Sequence, residues 1–276
     1  ILIGLVGSEM CIRDSLHIPF CQSRCAYCDF VTDAVPCDDP RIDDYVDRLV
    51  LAIRHAGKKG LLGSIETVYL GGGTPSYVGM KRLSKILYTL SLSMHLTPDV
   101  ECSMEANPES LTPEMVKDIW ALGVNRLSIG VQSLHDDTLR TLQRIHTADK
   151  ARRAISMARE RFDNVSVDIM CGIPGQNPED YCKDLAEVVE LGANHVSVYP
   201  LTIEEGTPFD RMIESGQLVE TPQDDQALMM QMAASVLEPL GLARYEVASY
   251  ARPGFACRHN ESYWTCLLYT SDAADE

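Results

Sequence analysis

From residue 16 to residue 200 the chain alternates short apolar runs with longer amphipathic ones, and this alternation limits the fold more than any other property of the sequence. The apolar runs at 16–19, 67–70, 100–104, 126–131, 165–169 and 195–200 read as strands. Between them, helical spacing of apolar residues recurs near 40–56, 81–93, 113–122, 136–144, 149–161 and 178–190. Parallel strands need a crossover long enough for a helix, so repeated strand–helix units predict an α/β fold around a parallel sheet. Helix boundaries are marked too. Thr112 precedes Pro113, an N-cap ahead of a first-turn proline, and Gly123 and Gly192 stand where helices should stop.

Length leaves two options open, since 276 residues suit one large barrel or two ordinary domains. Charge is more decisive. A net charge of −16 argues against a nucleic-acid groove, which needs clustered Lys and Arg. The apolar run 1–6 lacks a basic flank and is too short to span a bilayer, so neither a signal peptide nor a transmembrane segment is expected. Residues 7–15 and 269–276 resemble translated adapter read-through. Segments 1–15 and 267–276 are therefore expected to be non-native ends, Cys11 to have no role, and the native protein to continue beyond both.

In parallel α/β barrels, ligands gather at the C-terminal ends of strands, so those ends should carry the chemistry. The first strand runs into Pro19-Phe20-Cys21-Gln22-Ser23-Arg24-Cys25-Ala26-Tyr27-Cys28, three cysteines at x3 and x2 spacing. Four thiolates normally close a [4Fe–4S] cube, so three local ones leave one iron with an open coordination position. A zinc knuckle completed by a distant His, or three unrelated core thiols, are the alternatives. Free thiols rarely gather on one loop, and zinc sites more often pair two Cys-x2-Cys units. A cluster needs reduced thiolates, so the ten cysteines fit a reducing compartment, and the cytoplasm is expected. The second strand runs into Gly71-Gly72-Gly73-Thr74-Pro75, where missing side chains would let a ligand reach backbone N–H groups; a simple tight turn is the alternative. The next strands end in Glu105-Ala106-Asn107-Pro108, Gln132-Ser133, Asp168-Ile169-Met170-Cys171-Gly172-Ile173-Pro174-Gly175 and Tyr199-Pro200-Leu201.

The Cys-x3-Cys-x2-Cys spacing, with Tyr27 before the last cysteine, resembles that of the radical S-adenosylmethionine (SAM) enzymes. Resemblance to them implies a partial (β/α)6 TIM-like barrel, a [4Fe–4S] cluster on Cys21, Cys25 and Cys28, and SAM docked by its amino and carboxylate groups on the open iron. Over residues 16 to about 264 the chain resembles the oxygen-independent coproporphyrinogen III oxidase family, through Glu-Ala-Asn-Pro, Gly-Val-Gln-Ser, Asp-Ile-Met-Cys-Gly-Ile-Pro-Gly and Tyr-Pro-Leu-Thr in that order. The resemblance implies that Gly72, Gly73, Thr74, Glu105, Gln132, Arg144, Asp168 and Leu201 surround SAM. Carboxylates and amides can hold ribose hydroxyls, and a guanidinium suits a carboxylate. A solvated Arg and a helix-capping Asp are the plain alternatives. One departure stands out: Ser15 occupies the place, six residues before Cys21, where the family carries a Tyr.

The resemblance divides the chain into a core at 16–215 and the truncated start of a C-terminal extension at 216–266. A helix is expected near 222–240, where Met229, Met230 and Met232 read as adaptable core, followed by a strand from Arg244. The segment His259-Asn260-Glu261-Ser262-Tyr263-Trp264 resembles a hallmark of the family's heme-chaperone branch. Histidine is a common axial heme ligand, so His259 is a heme candidate; a structural histidine tying two segments together is the alternative. The true oxidases resemble Cys-x3-Cys-x2-Cys-x-Cys, and here Phe30 replaces the final cysteine. The expectation is a heme chaperone-like radical SAM protein that binds a [4Fe–4S] cluster, SAM and heme and passes heme to an unidentified acceptor, which can be peripheral to a membrane. The alternative is an oxygen-independent coproporphyrinogen III oxidase. A zinc-bound interaction module is the weakest reading, because it leaves the strand ends unexplained.

Overall fold

The computed structural model describes residues 13–265 except 61 and 63. The expectations about 1–12 and 266–276, Cys11 included, concern positions outside the described residues.

The chain begins with β1 (Arg13–Ile18), a short parallel pair β2 (Phe20–Cys21) and β3 (Asp33–Ala34), α1 (Pro40–Lys58) and β4 (Ser64–Gly72). It continues through α2 (Met80–Ser93), β5 (His95–Ala106), α3 (Pro113–Ala121), β6 (Arg126–Gln132), α4 (Asp136–Thr141) and α5 (Ala148–Arg159). Then come β7 (Asn164–Cys171), α6 (Pro178–Glu190), β8 (His195–Pro200), α7 (Pro208–Glu214), α8 (Gln223–Leu237), β9 (Ala243–Arg244), β10 (Ser249–Ala251) and α9 (Arg258–Thr265). One sheet orders its strands β1-β4-β5-β6-β7-β8-β10-β9. The first six are mutually parallel, and β10 and β9 add on antiparallel. The six expected strands and six expected helices are all present.

Each parallel strand buries both faces differently. Leu127, Ile129 and Val131 of β6, Val165, Val167 and Ile169 of β7, and Val196 and Val198 of β8 belong to the main apolar core shared with the helices. Alternate residues point the other way, as strand geometry requires. These are Arg126, Ser128 and Gly130, then Ser166 and Asp168, then His195 and Ser197, and on β4 and β5 Thr67, Tyr69, Glu101, Ser103 and Glu105. The concave interior of the partial barrel is thus polar. The helices supply the outer layer: Ile155 and Ala158 of α5 and Leu185, Val188 and Val189 of α6 are all buried. Truncating one such residue, as in Ile155→Ala, costs about 2–5 kcal/mol. Thr112 accepts from the Met115 N–H, as its position before Pro113 predicted.

Met229, Ala233 and Leu237 of α8 join the same core, with Met230 and Met232 packed against it. Two features differ from expectation. The strand expected from Arg244 is a pair of short strands, because the chain reverses so that the Tyr245 N–H bonds the Ser249 carbonyl at 3.1 Å. The His-Asn-x-x-Tyr-Trp segment is helical, α9, and it lies against the N-terminal half of β4. Among the described residues, no helix is long and apolar enough to cross a membrane.

Candidate functional site

The proline at 19 ends β1 and releases the cluster loop, which β2 and β3 close by pairing Cys21 with Ala34. Within it the Cys28 N–H bonds the Cys25 carbonyl at 3.2 Å, and Arg24 Nε donates to the Cys28 carbonyl at 3.2 Å. The loop is anchored by Ala26, which is buried with Leu142, Met170, Ile173, Leu201 and Phe209 in a second, smaller core. The Phe209 N–H donates to the Ala26 carbonyl at 3.0 Å. All three thiols are half-buried. Burial pushes the Cys21 and Cys28 thiols up, partly offset by the Thr74 hydroxyl at Cys21 and the Phe30 amide at Cys28.

Among the described residues, no three His, Cys, Asp or Glu side chains converge on one metal position. A cube makes no such demand, since each thiolate takes a different iron, and soft sulfur donors on a loop suit it. Hydrogen bonds tie these sulfurs to the strand ends. Thr74 Oγ1 donates to Cys21 Sγ at 3.4 Å and Arg144 Nη1 to Cys25 Sγ at 3.5 Å. Asn107 joins the two: its Nδ2 donates to Thr74 Oγ1 at 3.0 Å and its Oδ1 accepts from Arg144 Nη2 at 2.8 Å.

The glycine segment works otherwise than the sequence predicted. Its N–H groups are spent within the protein: Gly72 on Glu105 Oε2 at 3.0 Å, Gly73 on the Ile18 carbonyl at 2.9 Å and Thr74 on the Phe20 carbonyl at 2.8 Å. The space that side chains would take is also filled. A Cβ on Gly73 would come within 2.8 Å of the Ile18 and Phe20 backbone, and one on Gly72 (φ +109°) within 2.2 Å of the His17 ring. The glycines let β4 lie flush against β1 and the cluster loop, and the amides of Gly72, Gly73 and Thr74 are committed within the protein.

Glu105 and Asp168 face each other across the mouth. Glu105 accepts from the Tyr69 hydroxyl at 3.0 Å, and Asp168 from Ser128 Oγ at 3.3 Å. Burial and the nearby Asp168 push the Glu105 carboxyl up to about 7, against the Tyr69 and Gly72 hydrogen bonds and Arg126. Burial likewise raises Asp168, with Ser197, Arg126 and Ser128 opposing. Arg144 is buried, which works against its charge, yet Tyr27, Cys25 and Glu109 around it raise its pKa on balance. It also donates to the Gly130 carbonyl at 2.7 Å. Gln132 ends β6 with φ +66°, and its amide shares the space over Gly130 with Asn107 and Arg144. Leu201 is buried in the smaller core, its N–H on the Cys171 carbonyl at 2.8 Å.

His259 lies elsewhere. Its Nε2 is 3.0 Å from Ser15 Oγ, its Nδ1 3.0 Å from Thr67 Oγ1, and its ring stacks on Tyr69 at 5.1 Å. Its N–H donates to Glu101 Oε1 at 3.1 Å. Thr67 and Tyr69 precede Gly72 by five and three strand residues, so His259 sits about 10–16 Å down the barrel from the glycine segment. Both ring nitrogens face hydroxyls, one of them that of Ser15 at the expected non-native end, and only 2% of the residue is exposed. The position expected to carry a Tyr, Ser15, is part of that buried contact.

Sequence reasoning passed over several residues that build this region. Asn107 follows the C-terminal end of β5, in Glu105-Ala106-Asn107-Pro108, where the strand-end rule places ligand contacts. Arg126 is fully buried, close to Glu101, Tyr69, Tyr245 and Asp168, and its Nε has no hydrogen-bond partner among the described residues. An arginine inside an apolar run was its signal.

Comparison with known proteins shows the family and the fold. The radical SAM superfamily model matches residues 15–199. Heme chaperone HemW from Mycobacterium tuberculosis is 39% identical over 254 residues, 90% of this chain and 64% of that protein. HemW from Bacillus subtilis is 33% identical over 256 residues, 92% of this chain and 67% of that protein. The solved coproporphyrinogen III oxidase HemN from Escherichia coli, a radical SAM enzyme, superposes with a TM-score of 0.77 at 26% identity, covering 87% of this chain and 55% of that one. The chain thus spans about two thirds of the length of these HemW proteins. With the parallel strands, the cysteine loop and these relatives in agreement, the chain belongs to the radical SAM superfamily, in its HemW family.

Proposed function

We propose that this chain holds a [4Fe–4S] cluster on Cys21, Cys25 and Cys28, binds SAM across the adjoining strand ends, and serves a heme chaperone that hands heme to an acceptor protein. The observation that carries the reading is the relay from Cys21 through Thr74, Asn107 and Arg144 to Cys25, which makes the thiols and the strand ends one polar unit. A cluster with one open iron supplies a docking point for the amino and carboxylate groups of SAM. Around it, this chain's residues would bind and orient. The segment Gly72-Gly73-Thr74 has its N–H groups committed, so what it can offer is carbonyl oxygen, an acceptor suited to an ammonium. Glu105, Gln132 and Asp168 can hold ribose hydroxyls, Arg144 keeps positive charge beside the thiolates, and Leu201 closes the apolar side. Thiolate chemistry of this kind belongs in a reducing compartment such as the cytoplasm.

For heme, the weight falls on the relatives' activity and on Phe30. Phe30 is 67% exposed and carries no thiol, so the additional cysteine of the oxidases has no substitute at that position. We assign His259 a structural role and place the heme ligand elsewhere, with residues 216–266 beginning an extension to the 16–215 core. Oxidative decarboxylation of coproporphyrinogen III is the second reading, favoured by the likeness to the HemN structure. The test titrates heme into the anaerobically reconstituted protein and, in parallel, assays carbon dioxide release from coproporphyrinogen III with SAM and a reductant. Saturable heme binding without decarboxylation is expected. Robust carbon dioxide release would replace the chaperone reading with the oxidase.

A further inference from the structure

We infer that Asp184, a buried carboxylate on α6 remote from the thiols, is a positioning residue that holds the Gln132 side chain in the proposed SAM site. The inference rests on the reading of Gln132 as a SAM contact and deepens it.

β6 does not simply stop. The Ser133 N–H donates back to the Val131 carbonyl at 2.8 Å, closing a three-residue turn with Gln132 at its centre at φ +66°. The pairing of β6 with β7 slips between Gly130 and Gln132. A side-chain-bearing residue in this region is strained and persists where the surroundings over-determine it. The register slip re-aims the strand end, as a bulge does. Through it the Gln132 amide comes into the space beside Gly130, where a Cβ would lie 2.8 Å from Asn107 Oδ1, 3.1 Å from Gln132 Nε2 and 3.3 Å from Arg144 Nη2.

What over-determines the turn comes from the outer layer. Asp184 Oδ2 accepts from Ser133 Oγ at 2.7 Å and from the Leu134 N–H at 2.8 Å, and Oδ1 lies 3.2 Å from His135 Nε2. Ser133 Oγ in turn accepts from the His135 N–H at 3.1 Å. Arg152 Nη2 reaches the Leu134 carbonyl at 3.3 Å while its guanidinium pairs with Glu187, one turn along α6 from Asp184. All three residues after Gln132 are therefore held from behind. Only 2% of the Asp184 side chain is exposed, so water cannot take over its acceptors' work if it is removed.

The test is a double-mutant cycle in the reconstituted protein, reading SAM dissociation constant and iron content for Gln132→Ala, Asp184→Ala and the double variant. Asp184→Ala should weaken SAM binding by about tenfold in the wild-type background and add little in the Gln132→Ala background, because coupled residues are non-additive. Iron content should stay unchanged. Asp184→Asn, whose carbonyl can still accept from Ser133 and Leu134, should stay within about threefold of wild type. Equal losses in both backgrounds, or an Asp184→Asn protein as weak as Asp184→Ala, would overturn the inference. Should Asp184→Ala not fold, Ser133→Ala replaces it in the cycle, with about a threefold loss expected and confined to the Gln132 background. A Gln132→Ala protein that binds SAM like wild type would instead remove Gln132 from the site, a failure of the underlying reading.

Discussion

The two ends of this barrel are equally polar and chemically opposite. At the N-terminal floor most polar groups are closed on one another, with Arg126 Nε left without a hydrogen-bond partner among the described residues. His259 sits between Ser15 and Thr67, His195 between Ser166 and Tyr245, and Glu101 takes the backbone N–H groups of Arg258 and His259. Burial and Arg126 hold His195 well below the usual histidine range, so it stays neutral. At the C-terminal mouth the polarity is left in tension. Burial and the nearby Asp168 raise the Glu105 pKa, burial raises that of Asp168, Gln132 is held in a strained turn, and three thiols share one loop. Buried polarity that is satisfied builds structure; polarity that is left facing its like charges or strained marks where a ligand belongs.

The contrast can be broken most sharply at the thiols. Replacing Cys25 by Ala should abolish bound iron, measured after anaerobic reconstitution, while leaving the far-ultraviolet circular dichroism intact, since Cys25 is a loop residue half-open to solvent. Next in size is Glu101→Ala. It strands the backbone N–H groups of Arg258 and of buried His259 and should cost about 3 kcal/mol in chemical denaturation with SAM affinity unmoved. A large loss of SAM binding there would mean that floor and mouth are not separable. His259→Ala should destabilise by about 1–3 kcal/mol and leave the heme dissociation constant as it was. Weaker heme binding in a variant of native stability would return His259 to the heme site.

The smallest effect is the most specific to the mouth. The Glu105 carboxyl ordinarily titrates at 4.5 and here is pushed up to about 7, so between those values the folded chain holds a proton that the unfolded chain has lost. Its contribution therefore favours the fold at low pH and is lost as pH rises to about 7. SAM should respond in the reverse sense. An ionised Glu105 is the better acceptor, so affinity should improve a few-fold from about pH 6 to about pH 8, and Glu105→Gln should flatten that slope.

Much of this was legible in the residues, and the part that was not has a physical reason. Strand positions such as 165–169 announce themselves because Val165, Val167 and Ile169 face the helices; the same runs conceal Ser166 and Asp168, whose alternate direction shows once the sheet has a concave side. The cysteine spacing is local, so it survives in one dimension. The glycines misled because a missing side chain reads the same whether a ligand or the protein fills the space, and here His17 and the Ile18–Phe20 backbone fill it. Nothing in the sequence near Asp184 points to Gln132, since a helix and a strand end some fifty positions apart meet only in the fold.

The central claim is that the mouth carries a cluster whose open iron is reached by SAM. The direct measurement is electron paramagnetic resonance of the anaerobically reconstituted, reduced protein with and without SAM, together with iron and sulfide analysis. About four irons and four sulfides per chain are expected, with a cluster signal that shifts when SAM is added and a weaker shift in Gln132→Ala. Stoichiometric zinc without iron, or a cluster signal indifferent to saturating SAM, would contradict the account.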